Sequence, residues 1–417
     1  MKFRAGFGML WASQSLALFG DAFYVIALVT LVYRETGAAT WTALVPIVRM
    51  GGLLVSGILA PLAIRRYPLA ALLKAAQGGQ TLFLLLLAMY AASGIGAVSL
   101  PLLFALIALA SLAEGVVAPG RNSLLPRLVP EARLVQANGY LSATDQSAQF
   151  AGWALGGTLA AVIGPGGVLW LAAGLFVLAL AAVLGIREPR RPGAVPDDRP
   201  ESGWQAIRGG WVVIWRSPLL RTVVVTEVIE GVAGGVWAGA LMLVFVRERL
   251  HRGEEWWGFI NASYLIGAIA GGLLALSISR RIDRSLGLFA IGGAVAFGAI
   301  TLAFAFAQNP WIALAMSLLL GPPFQMKDIA KRTLFQKNVD AAVLPRVFSA
   351  HGTVLYATFG ISVFAMSAVS DLAGIQAAYV AAAVLFAISA AFALWNRAAY
   401  RASGSPVEAK ELTASPR

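Results

Sequence analysis

Apolar residues are grouped along the chain in twelve long runs, separated by polar segments too short to form a folded soluble domain. Each run reaches the roughly 20 residues that an α-helix needs to cross a bilayer. The longest polar segment, 187–218, lies between the sixth and seventh runs. The pattern therefore predicts an all-α integral membrane protein with twelve transmembrane helices in a six-plus-six arrangement. The runs are 7–33, 40–63, 69–92, 99–118, 137–163, 166–186, 219–246, 256–279, 285–307, 310–328, 347–370 and 373–396.

These runs also define the expected domains. We expect an N-terminal six-helix half over 1–186, a cytoplasmic linker over 187–218, a C-terminal six-helix half over 219–396 and a cytoplasmic tail over 397–417. Inside the linker, large apolar residues recur every three or four positions, which is the spacing of one helix face. They are Trp204, Ile207, Trp211 and Trp215. We expect a helix there that lies on the inner membrane surface.

The basic residues set the orientation of the chain. The formal net charge is +12, and 27 of the 32 Lys and Arg residues fall on one side if the N-terminus is inside. Only four fall in the opposite loops. Cytoplasmic loops are enriched in Lys and Arg, so both termini are expected in the cytoplasm. The basic excess is then a mark of topology, not of a nucleic-acid site. Arg outnumbers Lys by 26 to 6, which is typical of a GC-rich bacterium and suggests its plasma membrane.

The composition excludes several kinds of chemistry. The chain is 59% hydrophobic and 12% charged, against about a quarter charged in soluble domains. It has no cysteine, and His251 and His351 are its two histidines. We therefore expect no disulfide, metal site or cofactor. The absence of a nucleotide-binding motif argues against direct use of ATP, and the lack of a reactive cluster at depth argues against an enzyme.

The two halves of the chain repeat each other. The segment from Gly57 to Arg66 and the segment from Gly272 to Arg281 share a Gly-x-Leu-Ala…Arg-Arg spacing at an offset of 215 residues. A second echo, beginning at Arg121 and at Lys331, has an offset of 210 residues. Parallel six-helix halves of this kind occur in transporters, with the substrate site between the repeats near the middle of the membrane.

At these motifs the chain resembles the major facilitator superfamily over its whole length. The segment from Gly57 to Arg66 is similar to the family signature Gly-x-Leu-Ala-Asp-Arg-x-Gly-Arg-Arg, although Pro61 stands in the place of the aspartate. In that family the aspartate helps lock one conformation, so the lock here must be weaker or built differently. The resemblance implies conformational-switch roles for Gly57, Arg65, Arg66, Arg121, Gly272, Arg280 and Arg281.

Shorter motifs resemble the branch of macrolide, drug and siderophore exporters. They are Trp11-Ala-Ser-Gln14, Gly20-Asp21, Pro119-Gly-Arg121 and Gln136-Ala-Asn138-Gly139. The resemblance also implies that helices one, four, seven and ten line the cavity, while two, five, eight and eleven form the seam between halves.

Six of the ionisable residues within the predicted spans are candidates for function, because charge inside a membrane is costly and marks a partner or a water-filled site. Asp21 and Arg49 both lie near mid-depth, so we expect an ion pair between helices one and two. That pair is either a structural fastener or a latch that opens on binding. The family resemblance implies that Asp145 faces the seam, where it would pair with an inner-loop arginine. For Glu114, a cavity role and a pair with Arg121 both remain open.

Glu227 and Glu230 are three residues apart and share a face of helix seven. Two close carboxylates resist simultaneous ionisation, which suits a site that carries a proton or attracts a cation. A structural role at the cytoplasmic end of the helix is the alternative. Lys327 is expected at the inner membrane interface.

The remaining candidates are uncharged. Four polar side chains would contact substrate or bond between helices: Gln14, Tyr24, Gln325 and Tyr356. Pro322 and Pro323 should kink or break helix ten and act as a hinge.

The whole pattern predicts a secondary active transporter in the lipid bilayer, and the family resemblance implies that it works as a monomer. We expect proton-coupled export of a hydrophobic or amphipathic small molecule by alternating access. Glu227 or Glu230 would carry the proton, and Asp21–Arg49 would form a charged latch. The alternatives are a carrier of a lysophospholipid or metabolite, import instead of export, and a membrane assembly factor that does not transport.

Overall fold

A computed structural model describes residues 5–37, 39–92, 100–188, 203–237 and 239–401. The ends of the chain and most of the polar part of the central linker lie outside these ranges. Within them the regular structure is helical, without a β-strand. The α-helices are α1 (Ala5–Thr36), α2 (Ala39–Arg66), α3 (Leu69–Ala92), α4 (Leu100–Glu114), α5 (Val117–Leu128), α6 (Leu134–Val162), α7 (Gly164–Leu184), α8 (Gly203–Arg216), α9 (Pro218–Ala233), α10 (Gly239–Glu248), α11 (Glu254–Ser277), α12 (Ser279–Arg284), α13 (Leu286–Ala305), α14 (Pro310–Asn338), α15 (Leu344–Ala373), α16 (Ile375–Trp395) and α17 (Arg397–Arg401).

The helices match the predicted membrane spans. Every one of the twelve apolar runs overlaps one helix or one broken helix, such as α4 with α5 or α9 with α10. In the described residues, nine helices are long and apolar enough to cross a membrane, and the bent pair α9–α10 makes ten. The two runs outside this set, α6 and α14, are each 29 residues long but more polar. The chain is thus an all-α, multi-pass membrane protein.

The end of α14 differs from the sequence prediction. The apolar run ends at residue 328, but the helix continues to Asn338 through Lys331 and Lys337. Hydropathy ends the run where charges begin. In the folded chain these charges contact carboxylates of other helices. Because the charged side chains are paired, the helix can continue past the end of the apolar run.

By contact density the chain forms two compact units. Unit 1 comprises Met1–Pro130, Ala148–Trp211 and Ala341–Thr353. Unit 2 comprises Glu131–Ser147, Val212–Asp340 and Val354–Arg417. These units are defined by contacts and not by the order of the helices in the sequence. The predicted division into six-helix halves therefore remains a proposal.

In unit 1 both α1 and α3 pack on α7. A Cβ at Gly20 would lie 2.7 Å from Phe176, so glycine permits this close approach. Ser13 Oγ donates a hydrogen bond to the Ala179 carbonyl at 2.8 Å. The core beneath is largely aliphatic and includes the buried Leu28 and Ile107.

Unit 2 has an aromatic core. Trp237, Phe245, Phe304 and Tyr379 lie with ring centroids 4.7–5.4 Å apart in their contacting pairs. The Tyr379 hydroxyl donates to the Val236 carbonyl at 2.9 Å, which satisfies its polar atom inside the core. Around this core α11 packs on α14, and α13 packs on both α14 and α16.

The helix predicted in the central linker is present as α8. Its outer face presents Trp204 and Trp215, which are 70% and 53% exposed. Its inner face is buried through Ala206, Val213 and Ile214. An amphipathic helix with exposed tryptophans suits a membrane surface.

Candidate functional site

A charge cluster in unit 1 joins three helices. Arg49 of α2 donates from Nη2 to Asp21 Oδ2 of α1 at 2.6 Å and to Glu114 Oε1 of α4 at 2.8 Å. Its Nε lies 3.4 Å from Glu114 Oε2, so the guanidinium meets this carboxylate with two nitrogens. Such two-pronged, charge-assisted contacts are geometrically specific. The Arg49 side chain is 21% exposed and the two carboxylates 25%, so the cluster is mostly buried.

One of the two ion pairs in this cluster was predicted from the sequence. The Asp21–Arg49 contact was expected from the mid-helix position of both residues. The pairing of Glu114 with Arg49 was not expected, because the sequence left open only a cavity role and a pair with Arg121. Among the described residues the Glu114 carboxylate pairs with Arg49 and not with Arg121. α4 ends at Glu114, and Arg121 lies beyond the break in α5.

Two predicted substrate-contacting residues of α1 are also buried in unit 1. Tyr24 lies three residues after Asp21 and interacts electrostatically with Arg49. Its hydroxyl has no hydrogen-bond partner among the described residues, although it is buried. Such an orphaned hydroxyl beside charged groups is available to a bound molecule. Gln14, nearly three turns before Tyr24 in α1, is buried as well.

A second charge cluster lies inside unit 2. Lys327 and Lys331, one turn apart on α14, donate to the same oxygen of Glu230, Oε2, at 2.6 and 3.0 Å. The other oxygen, Oε1, accepts from Ser389 Oγ of α16 at 3.0 Å. All three charged side chains are at most 7% exposed. The cluster is therefore a buried carboxylate shared by two ammonium groups.

Aromatic rings surround one of these lysines. Lys327 Nζ lies 5.4 Å from the ring centroid of Phe297, 5.5 Å from Phe324 and 5.8 Å from Phe386. Such faces attract a cation without accepting its conventional hydrogen bonds. The expected interfacial position of Lys327 is wrong. Its partner Glu230 lies 97 residues away in sequence, a pairing that hydropathy cannot detect.

Glu227 accompanies this cluster without being equivalent to Glu230. It is half-buried, whereas Glu230 is buried. Glu227 interacts electrostatically with both Lys327 and Lys331. The two acids predicted to act as a negative pair are therefore accompanied by two cations that the sequence reading did not assign to them.

The predicted partner type of Asp145 is also seen. Asp145 Oδ2 in α6 lies 3.9 Å from Arg332 Nη1 of α14, and Arg332 Nε binds Asp328 at 2.9 Å. Nearby in unit 2, Asn138 donates to Gln336 at 2.6 Å and to Thr333 at 3.0 Å. The first turns of α6 are thus fixed to α14 by polar contacts.

The repeated glycines occupy similar close contacts in the two units. A Cβ at Gly57 of α2 would lie 3.3 Å from Thr353 of α15, within unit 1. A Cβ at Gly272 of α11 would lie 3.1 Å from Ala143 of α6, within unit 2. Of the repeated basic residues, Arg121 is buried, while the following four are exposed: Arg65, Arg66, Arg280 and Arg281. Their conformational-switch role stays a prediction.

An ion pair joins the helix ends near the first repeated motif in unit 1. Arg127 pairs with Glu188, whose Oε2 accepts a hydrogen bond from the Ala70 backbone N–H at 3.0 Å. Arg127 also donates to the Ala341 carbonyl at 2.8 Å. These contacts cross-link the end of α5, the start of α3 and the segment before α15.

The remaining predicted residues lie in α14 and α15. α14 passes through Pro322 and Pro323 as one helix, so the prolines do not break it. Gln325 is buried, and its amide nitrogen has no hydrogen-bond partner in the described part of the chain. Tyr356 is half-buried. In the same described ranges, no group of three or more His, Asp or Glu side chains could hold a metal ion.

Comparison with known proteins agrees with this architecture. The family model described as Major Facilitator Superfamily matches residues 10–326. An MFS-type transporter of Bacillus subtilis, YfmI, is 30% identical over 93% of this chain and 95% of its own. The multidrug efflux pump Tap of Mycolicibacterium fortuitum is 23% identical over 87% of this chain and 88% of its own. The crystal structure of the Escherichia coli fucose:proton symporter FucP superposes with a TM-score of 0.76 at 15% identity, covering 95% of this chain and 99% of that one.

The fold is that of a membrane transporter. The chain belongs to the major facilitator superfamily.

Proposed function

We propose that this transporter exports an amphipathic small molecule in exchange for protons, by alternating access, across a bacterial plasma membrane with both termini in the cytoplasm. The Asp21–Arg49–Glu114 cluster is the proposed proton site. The name of the related efflux pump Tap supports export of small molecules.

The observation that carries this proposal is a charge count. In unit 1 two carboxylates share one guanidinium, so one proton brings the three groups to neutrality. In unit 2 a single carboxylate, Glu230, already shares two ammonium groups. A carrier must alternate between a charged and a neutral site as it loads and releases a proton. We therefore assign the proton to Asp21 and Glu114 in preference to the acids of α9.

The same cluster offers a way to couple the proton to movement. Arg49 holds Asp21 of α1 and Glu114 of α4 at once. When one carboxylate is protonated, its attraction to the guanidinium weakens, and one helix gains freedom relative to α2. Because Tyr24 lies beside the same groups, a substrate near its hydroxyl would sense that change.

Accumulation assays in efflux-deficient bacterial cells test the proposal. Cells would express wild type, Glu114→Gln or the control Asp371→Asn, which changes an exposed carboxylate of α15. They would be exposed to fluorescent dyes, macrolides and siderophores, with and without an uncoupler. We expect wild type and Asp371→Asn to lower accumulation of at least one compound until the uncoupler is added. Glu114→Gln should not. Export that is insensitive to the uncoupler would overturn the proposal.

A further inference from the structure

The lysine cluster of unit 2 has features that a purely structural ion pair does not need. One cation would balance Glu230, yet two lysines converge on the same oxygen, Oε2. Burying an extra ammonium group is costly, even where packing is good. Glu227 also interacts with both lysines, so the local charge is balanced only by a carboxylate that is half-buried. The second lysine therefore requires an explanation beyond stability.

The lysines also keep hydrogen-bonding capacity. An ammonium group carries more than one donor, and each lysine makes one hydrogen bond among the described residues, to Glu230. Other neighbours of Lys327 are the rings of Phe297, Phe324 and Phe386. These rings attract the ammonium group but do not accept conventional hydrogen bonds from it. Two adjacent cations with spare donors, next to aromatic surface, suit an anion attached to an apolar body.

We propose that Lys327 and Lys331 form the binding site for the anionic head of an amphipathic organic anion, either a carboxylate or a phosphate. Glu230 is the internal counter-ion that holds the lysines when the site is empty. The anion's oxygens displace Glu230 from the ammonium groups, and its hydrocarbon part packs on the three phenylalanines. This inference deepens the proposed export function, because it assigns a charge to the exported molecule.

Glu230 distinguishes a counter-ion from a structural partner. If Glu230 competes with the ligand, Glu230→Gln should free both lysines and tighten anion binding. If the three groups are a structural unit, the same change should weaken binding or leave it unaltered. Lys337 provides a matched control on the same helix, since it pairs with Asp283 at 2.9 Å and not with Glu230.

Binding would be measured on purified protein in uncharged nanodiscs by isothermal titration calorimetry. The probes are octanoate and octyl phosphate, with 1-octanol and octyltrimethylammonium as neutral and cationic references. We expect both anions to bind wild type and Lys337→Met more tightly than the references. Lys327→Met should raise the Kd for the anions by about tenfold or more, the scale of one charged hydrogen bond. Glu230→Gln should lower it by about tenfold. The tighter of the two anions identifies carboxylate or phosphate as the preferred head.

A second comparison applies if Lys327→Met does not purify as a single species. Glu230→Gln/Lys331→Met removes one charge of each sign, and its Kd should exceed that of Glu230→Gln by about tenfold. Anion binding no tighter than that of 1-octanol, or binding to a monodisperse Glu230→Gln that is weaker than or equal to binding to wild type, would overturn the inference. These titrations use no pH gradient. They can fail while uncoupler-sensitive export persists, or succeed while it is absent, so the two proposals fail separately.

Discussion

Arg49 is the residue on which the unit 1 cluster depends. Replacing it with glutamine would leave Asp21 and Glu114 facing each other without a cation. Removing one partner of a partly buried ion pair typically destabilises a protein more than removing the whole pair, because a charge is left without its counter-ion. We expect Arg49→Gln to lower the free energy of unfolding by roughly 2–4 kcal/mol. Thermal unfolding in detergent would show this as a lower midpoint.

The matched variant for Arg49→Gln is the triple change Asp21→Asn/Arg49→Gln/Glu114→Gln, which keeps shape but removes every charge. We expect it to unfold at a higher temperature than Arg49→Gln alone. The double change Asp21→Asn/Arg49→Gln is not sufficient, because Glu114 would remain charged without its partner. If the triple variant lost as much stability as the sum of its single changes, the three groups would not act as one cluster.

An individual contact could be predicted where both of its residues are charged and lie in the middle of apolar runs. A charge in the middle of an apolar run has few solutions, so the Asp21–Arg49 contact could be expected. Lys327 and Lys331 lie where an apolar run becomes polar. At such a position the local sequence does not distinguish a lysine at the membrane interface from one buried in the protein. Only the folded arrangement of α9 and α14 brings them to Glu230.

At the scale of helices, glycines of α11 allow it to approach α14 closely. A Cβ at Gly267 would lie 2.0 Å from the Leu318 carbonyl oxygen, and one at Gly271 would lie 2.5 Å from Pro322 Cα. Pro322 lacks an N–H and leaves the Leu318 carbonyl without its usual helical donor. The same carbonyl oxygen occupies the space that a side chain at residue 267 would need. The prolines of α14 therefore mark a tight contact as well as a proposed hinge.

Two glycines of α11 provide a test of this contact. Gly267→Ala should destabilise the protein by about 2–3 kcal/mol, because the added carbon meets backbone that cannot move aside. Gly258→Ala is the control, since nothing lies within 4 Å of its Cβ position. We expect that control to be neutral or slightly stabilising. Equal unfolding midpoints for the two variants would contradict the packing described for α11 and α14.

Helix positions followed from hydropathy, but helix ends did not. All twelve runs coincide with helices, because a bilayer demands satisfied backbone over the whole crossing. The extension of α14 to Asn338 was missed, because ion pairs between helices, such as Arg332–Asp145, cannot be read from one segment. The break after Glu114 was missed as well, since Gly115 is one small residue among many in an apolar run.

At the scale of the whole molecule, orientation is the prediction most open to direct test. The chain has no cysteine, so single cysteines can be introduced without a background. Arg252→Cys in a predicted outer loop and Arg284→Cys in a predicted inner loop are both at exposed positions. In intact cells a membrane-impermeant maleimide should label Arg252→Cys alone. Permeabilised cells should label both, and the reverse pattern would place the termini outside.

The most direct test of the proposed proton site is transport into inside-out membrane vesicles with an acidic interior. The probe would be the compound most strongly excluded by cells expressing wild type. We expect the pH gradient to drive accumulation by wild type and by Asp371→Asn. Asp21→Asn/Glu114→Gln should show only the accumulation seen without the transporter, while still exchanging preloaded compound in the absence of a gradient. Full gradient-driven accumulation by Asp21→Asn/Glu114→Gln would show that the cluster around Arg49 does not carry the proton.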